Sequence, residues 1–113
     1  MVIGDEVIGF VALQAYVASG VRFAEAPTSP FNSIEVEVSY VLGRDYWGKG
    51  YAYEACQPMI GYAFQDLRLL RLVNGIEPTN TRSISLARRL GFEAVANLAD
   101  EATPVWVLEN RMI

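Results

Sequence analysis

The sequence predicts a mixed α/β (α+β) domain, one sheet with helices packed on it. Three observations predict it. Residues 34–42 (IEVEVSYVL) begin with the alternation of a strand, residues 52–67 carry apolar side chains at helical spacing, and residues 70–76 (LRLVNGI) return to a β-rich run. The implied order is strand, strand, helix, strand, helix, strand, strand. It combines antiparallel-type neighbours with one strand–helix–strand crossover, which layers helices on a sheet. A length of 113 residues suits one domain over 1–113.

Each element has its own signal. Val7 to Tyr16 (VIGFVALQAY) is rich in β-formers and aromatics and reads as a strand. Residues 24–33 (AEAPTSPFNS) hold two prolines among small polar residues and read as an exposed loop within the domain. In the next strand Ile34, Val36 and Val38 share one face, and Glu35, Glu37 and Ser39 share the other, a solvated face in the simplest reading. The alternation fails at Tyr40-Val41-Leu42, which suggests a bulge or a strand entering the interior. Beyond Gly50, the residues Ala52, Cys56, Met59, Ala63 and Leu67 make one helical stripe. Pro58 lies inside it and cannot donate to the Glu54 carbonyl, so a kink or a split is expected. After the strand at 70–76, Pro78 to Thr81 is a turn, with Asn80 or Thr81 as N-cap. Arg82 to Leu90 is a short helix stopped by Gly91. Phe92–Val95 and Val105–Leu108 close the sheet around an irregular acidic loop.

Composition narrows the chemistry. The chain is 52% hydrophobic and 19% charged, a folding composition. Its net charge of −4 argues against a nucleic-acid partner and is compatible with a cationic substrate. Cys56 is the only cysteine, so no internal disulfide and no CxxC zinc site exists, and no metal site is expected. There is no histidine, which removes Ser-His-Asp and Cys-His nucleophile pairs and histidine bases together. Any chemistry must use carboxylates, hydroxyls, phenols or the backbone. The N-terminus carries Asp5 and Glu6 in place of a basic signal region, and the apolar run 7–21 is too short for a bilayer. A soluble cytoplasmic protein without a membrane partner is expected.

The stretch RDYWGKGYAYEA (44–55) places two glycines between a strand and a helix. The first turn of a helix offers unpaired N–H groups and partial positive charge, and glycines let an anion reach the backbone. Gly48, Lys49 and Gly50 would supply amides and Lys49 a full charge; equally, two glycines can simply make a tight turn. The loop is neither a Walker A loop nor a dinucleotide fingerprint.

VEVSYVLGRDYWGKGYAYEA followed by PTNTRSISLARRLGF resembles the GNAT N-acetyltransferases, most closely the RimJ/RimL branch. The resemblance covers Ile34 to about Val95. It places the family's Gln/Arg-x-x-Gly-x-Gly/Ala pattern on Asp45 to Gly50, with Asp45 departing from the first position, and the Asn-x-x-Ser…Gly-Phe segment on Asn80, Ser83, Gly91 and Phe92. It implies a mostly antiparallel sheet with a central splayed strand pair, and acetyl-CoA as acetyl donor to a primary amine.

The resemblance also implies a site. The pyrophosphate would be held by Trp47, Gly48, Lys49, Gly50, Tyr51 and Ala52. The pantetheine arm would lie against a bulge at Tyr40, Val41 and Leu42, with Asn80 and Ser83 on its other side. Glu37 is the implied base, with Glu35 able to substitute, and the backbone N–H near Leu42 is the oxyanion donor. Where many members place a tyrosine acid this chain has Ala87, and the resemblance leaves two readings, Ser83 as the replacement or no dedicated acid. Arg88 and Arg89 read as a solvated helix face within reach of the nucleotide, Cys56 as core, and Tyr46 and Trp47 as packing over the loop or lining the acceptor mouth. The chain is short at its front end for the family. It reads as a minimal enzyme, an N-terminally truncated piece, or a homodimer sharing elements, the last being favoured because an incomplete sheet exposes an apolar face. The competing class is a non-catalytic acyl-CoA-binding module.

Overall fold

Nine residues of the predicted alternation, Ile34–Leu42, form the strand around which the rest is arranged. The computed structural model describes residues 1–17, 34–96 and 102–111. A short hairpin, β1 (Val2–Ile3) and β2 (Glu6–Val7), precedes β3 (Gly9–Val17) and β4 (Ile34–Leu42). Then come a single helical turn at Arg44–Tyr46, α1 (Tyr51–Gly61), a π turn at Tyr62–Asp66, β5 (Arg71–Gly75), α2 (Thr81–Leu90), β6 (Glu93–Val95) and β7 (Val105–Glu109). The main sheet has the order β3-β4-β5-β7-β6. Its β4–β5 pair is parallel, and the other neighbours are antiparallel. The loop expected at 24–33 lies outside the described residues. No helix among the described residues is long and apolar enough to cross a membrane.

Both helices pack on one face of the sheet. Val38, Leu72 and Trp106 meet Cys56, Ala63 and Phe64 from the α1 region and Ala87 from α2. The opposite face buries Val73, Val105 and Val107. Glu35 and Glu37 belong to this second face, because side chains alternate across a strand.

Several expectations need correction. Val7 is not part of the long strand: Gly4, at φ +58°, turns residues 2–7 into the small hairpin, and β3 starts at Gly9. The bulge at Tyr40-Val41-Leu42 is absent from the β3–β4 ladder, which runs residue for residue from Gly9–Leu42 to Val17–Ile34. The alternation breaks because Val41 faces Phe10 across the ladder, and both are about half exposed, an apolar cross-strand pair on the outer face. Pro58 does not split α1, which runs unbroken from Tyr51 to Gly61. It and Glu54 lie on the exposed side, where water can serve the Glu54 carbonyl that loses its partner. The irregularity comes later, in the π turn, where Leu67 N–H bonds the Tyr62 carbonyl at 3.1 Å. The extra residue in that turn rotates Leu67 off the Cys56–Ala63 stripe and into solvent. Asn110 closes the turn, its Nδ2 donating to the Leu69 carbonyl at 2.9 Å and the Phe64 carbonyl at 3.2 Å.

The solvated reading of Glu35 also fails. Glu35 is only 5% exposed and receives both arms of the Arg71 guanidinium, Nε at 3.2 Å from Oε2 and Nη2 on Oε1. Period-two alternation cannot distinguish a wet carboxylate from one buried against an arginine of the next strand. Removing the arginine strands a buried charge, a loss in the range of about 3–5 kcal/mol. Arg71→Ala should therefore lower unfolding stability by about 3 kcal/mol in urea titrations, more than any exposed arginine replaced in the same way.

Candidate active site

The sheet forks next to Glu37. β4 and β5 share one bridge, Glu37–Val73, after which β4 continues to Leu42 with β3 alone. The Gly43 N–H donates to the Ile8 carbonyl at 2.8 Å, extending the β3 ladder by one step. Antiparallel ladders alternate, so the N–H groups of Tyr40 and Leu42 point to the other edge, into the fork. The expected splayed pair is present although the bulge is not.

A cleft of about 700 Å³ opens from this fork, between the end of β4, the glycine loop and α2. Tyr40, Val41 and Leu42 line it from β4; Trp47, Gly48, Gly50, Tyr51 and Ala52 line it from the loop and α1; Asn80 and Ser83 line it from α2. These are the positions the sequence assigned to cofactor binding, with one exception. Lys49 turns its ammonium over the Tyr46 ring, 5.8 Å from the centroid, and is not among the lining residues. The left-handed φ values on either side of Lys49 send its side chain away from the cleft.

The loop's amides are open. Gly48 and Gly50 have φ +77° and +82°, and a Cβ at either would meet no atom within 4 Å. Glycine is required there by backbone conformation, and the space above it is vacant. Within the loop, Tyr46 and Trp47 N–H groups bond the carbonyls of Gly43 and Arg44. Gly48, Lys49 and Gly50 have no such backbone bond among the described residues. α1 also begins without a side-chain cap, so its first N–H groups are unsatisfied toward the cleft. α2 differs, since Asn80 Oδ1 accepts the Ser83 N–H at 3.2 Å. That settles the N-cap on Asn80, whose side-chain oxygen accepts the bond while the residue lines the cleft.

Trp47 is fixed over the mouth. Its Nε1 donates to the Leu42 carbonyl at 2.8 Å, and its ring lies under Arg82 at 4.6 Å and Arg44 at 5.6 Å. Arg89 is not on a merely solvated face: it lines the cleft and stacks on Tyr53 at 3.9 Å. Arg88 turns away and covers Trp106 at 5.4 Å. Sequence reasoning missed Tyr53, Thr81, Arg82, Ser85 and Leu86 as lining residues. A signal existed, since 82, 85, 86 and 89 follow the i, i+3, i+4, i+7 spacing of one helix face.

Glu37 stands on the other face of β4, beside the fork. Burial raises its carboxyl above the ordinary range, and the Gly75 backbone N–H it accepts partly offsets this. Glu35, committed to Arg71, cannot substitute as a base. Cys56 is wholly buried in the core, and its thiol is pushed up to about 11 by burial. Among the described residues, no cluster of three or more His, Cys, Asp or Glu side chains could hold a metal ion.

Residues 1–93 match the family model described as "Acetyltransferase (GNAT) domain". The chain is 44% identical over 78 residues to the uncharacterized N-acetyltransferase p20 of Bacillus licheniformis, covering 65% of this chain and 44% of that protein. Among solved structures it is similar to an acetyltransferase from Agrobacterium tumefaciens, with TM-score 0.70, 27% identity, and coverage of 94% of this chain and 55% of that one. The fold is also shared with the ribosomal L7/L12 α-N-protein acetyltransferase RimL solved with coenzyme A, at TM-score 0.58 and 17% identity, over 66% of this chain and 47% of that one. The chain thus spans about half the length of the proteins it matches.

Two glycines at opposite ends of α1 are opposite in conformation. Gly50→Ala forces a Cβ into left-handed backbone and should cost about 1–2 kcal/mol. Gly61, at φ −57° inside the helical run and with open space around it, should gain about 0.5–1 kcal/mol on replacement by alanine. Paired thermal melts of the two variants read the sign directly.

Proposed function

Because the chain belongs to the GNAT acetyltransferase family, we propose that it carries out the chemistry of the RimJ/RimL-like branch, transferring acetyl from acetyl-CoA to a primary amine in a ternary complex. One observation carries this reading: unsatisfied amides at Gly48–Gly50 and the uncapped start of α1 face a cleft that runs into a forked β4–β5 pair. Such amides suit a diphosphate. The N–H groups of Tyr40 and Leu42 suit an extended, amide-bearing arm, which they would pair as a strand pairs. Arg82 and Arg89 add positive charge at the mouth of an acidic chain.

Acetyl-CoA supplies an acetyl thioester. The chain's groups supply proton transfer and positioning. Glu37 on the outer face takes the proton of the incoming ammonium. The amine nitrogen then attacks the carbonyl carbon at the fork, and β4 N–H groups stabilise the oxygen that becomes negative. Bringing two bound reactants together from opposite faces of the sheet contributes much of the acceleration.

Titration calorimetry with acetyl-CoA tests the reading, and binding in the micromolar range is the expected result. Gly48→Glu should abolish that binding, because a carboxylate would fill and charge the vacant space above the loop; an unchanged affinity would displace the pyrophosphate from this loop.

Glu37→Gln should leave affinity intact and lower turnover by about 100-fold. The sign of the pH dependence follows from the raised carboxyl. A base must be ionised, so turnover rises with pH through a limb placed above the ordinary carboxylate range, and the limb vanishes in Glu37→Gln. Ala87, buried and without a proton to give, favours the second reading, a binding module without turnover. Calorimetric binding with no CoA released across a panel of amines would select it.

A further inference from the structure

On the outer face of β4, away from the helices, the strand register lays out a graded track. The β3–β4 ladder places Gln14 opposite Glu37, Ala12 opposite Ser39 and Phe10 opposite Val41. The track has a carboxylate at one end, two small residues in the middle and an apolar pair at the other end. Glu37 and Val41 are four residues apart, which makes it about 13 Å long. We propose that this track holds the body of the acceptor, and that the acceptor is a primary amine on an extended apolar chain. Its ammonium meets Glu37 and its apolar end lies on Phe10 and Val41. The assignment rests on the acetyl-transfer reading and names the acceptor class of that same site.

Burial singles out the direction. On one side of Glu37 the face is closed by Glu35, which is 5% exposed and tied to Arg71. On a second side Val73, Val105 and Val107 are all buried. On a third, toward the β3 edge, stands Gln14, exposed and polar. Toward the end of β4 the face becomes open and apolar, with Phe10 at 54% and Val41 at 55% exposure.

Single exposed apolar side chains are ordinary on a protein surface. This pair differs in its position. Val41 also lines the cleft that opens from the fork, so the apolar patch is continuous with the place proposed for the thioester. Ser39 and Ala12 are half-buried and short, and neither stands up between the pair and Glu37.

Charge and hydration then give the selectivity. Of the two β4 carboxylates, Glu35 is taken by Arg71, and Glu37 remains for an ammonium. A second ammonium at the far end would lie against two apolar side chains, losing hydration and gaining no partner. An alkyl chain there removes apolar area from water on both sides of the contact. The net charge of −4 attracts monoamines and polyamines alike. The track separates them, favouring one charge with an apolar body.

The test reads CoA release from acetyl-CoA by the whole chain with butylamine, octylamine and octamethylenediamine, alongside calorimetry with acetyl-CoA. Octylamine should exceed butylamine in kcat/KM by about 10-fold, mainly through KM, since the added methylenes bind equally in the ground and transition states. Octamethylenediamine has the same length and should fall back to within about twofold of butylamine. Phe10→Ser should shrink the octylamine advantage to about twofold, and Phe10→Glu should reverse the order of octylamine and the diamine. Equal kcat/KM for octylamine and butylamine in the wild type would overturn the proposal, as would a wild-type preference for the diamine. An octylamine advantage that survives both Phe10 variants unchanged would overturn it too. If neither variant folds, the wild-type comparison decides. Turnover without the chain-length preference removes this assignment alone. A chain that releases no CoA with any amine overturns the acetyl-transfer reading, and the assignment with it.

Discussion

The two unequal edges of β4 govern the rest of the structure. One edge is paired with β3 along its whole length, and the other touches β5 at the single Glu37–Val73 bridge. The parting has a structural cause. All five residues of β5 are paired with β7, and β5 ends at Gly75, two residues past the bridge. β4 continues five residues past it, held straight by β3. Parallel pairing is the weaker kind per residue, so the bond set least able to resist is the one that opens. The glycine loop follows directly from the free end of β4. It is tied back to that end by the Trp47 indole on the Leu42 carbonyl, so fork and loop are one construction.

Charge in the cleft is arranged to be available. Arg82 and Arg89 rest on aromatic rings, and such stacking at exposed sites is worth about 0.5–1 kcal/mol. An anion entering the cleft can recruit either guanidinium at small cost. The Arg71–Glu35 pair on the opposite face is a different use of the same side chain, because undoing it would strand a buried carboxylate at several times that cost. The first pair of arginines can serve a ligand, and Arg71 serves the fold.

Local signals carried much of this into the sequence. The glycine pair, the Asn80 cap, the Gly91 stop and the bounds of β4 are determined by backbone chemistry within a few residues, and each was legible there. What was not legible depends on partners distant in sequence. Glu35 is buried because Arg71, thirty-six residues on, reaches it. Val41 is apolar because Phe10 stands opposite, and that looked like a bulge from one strand alone. Leu67 continues a helical stripe on paper, but the π turn before it, closed by Asn110, takes it out of phase. Lys49 had the charge for the cleft, yet its direction is set by two left-handed neighbours that residue type alone does not orient.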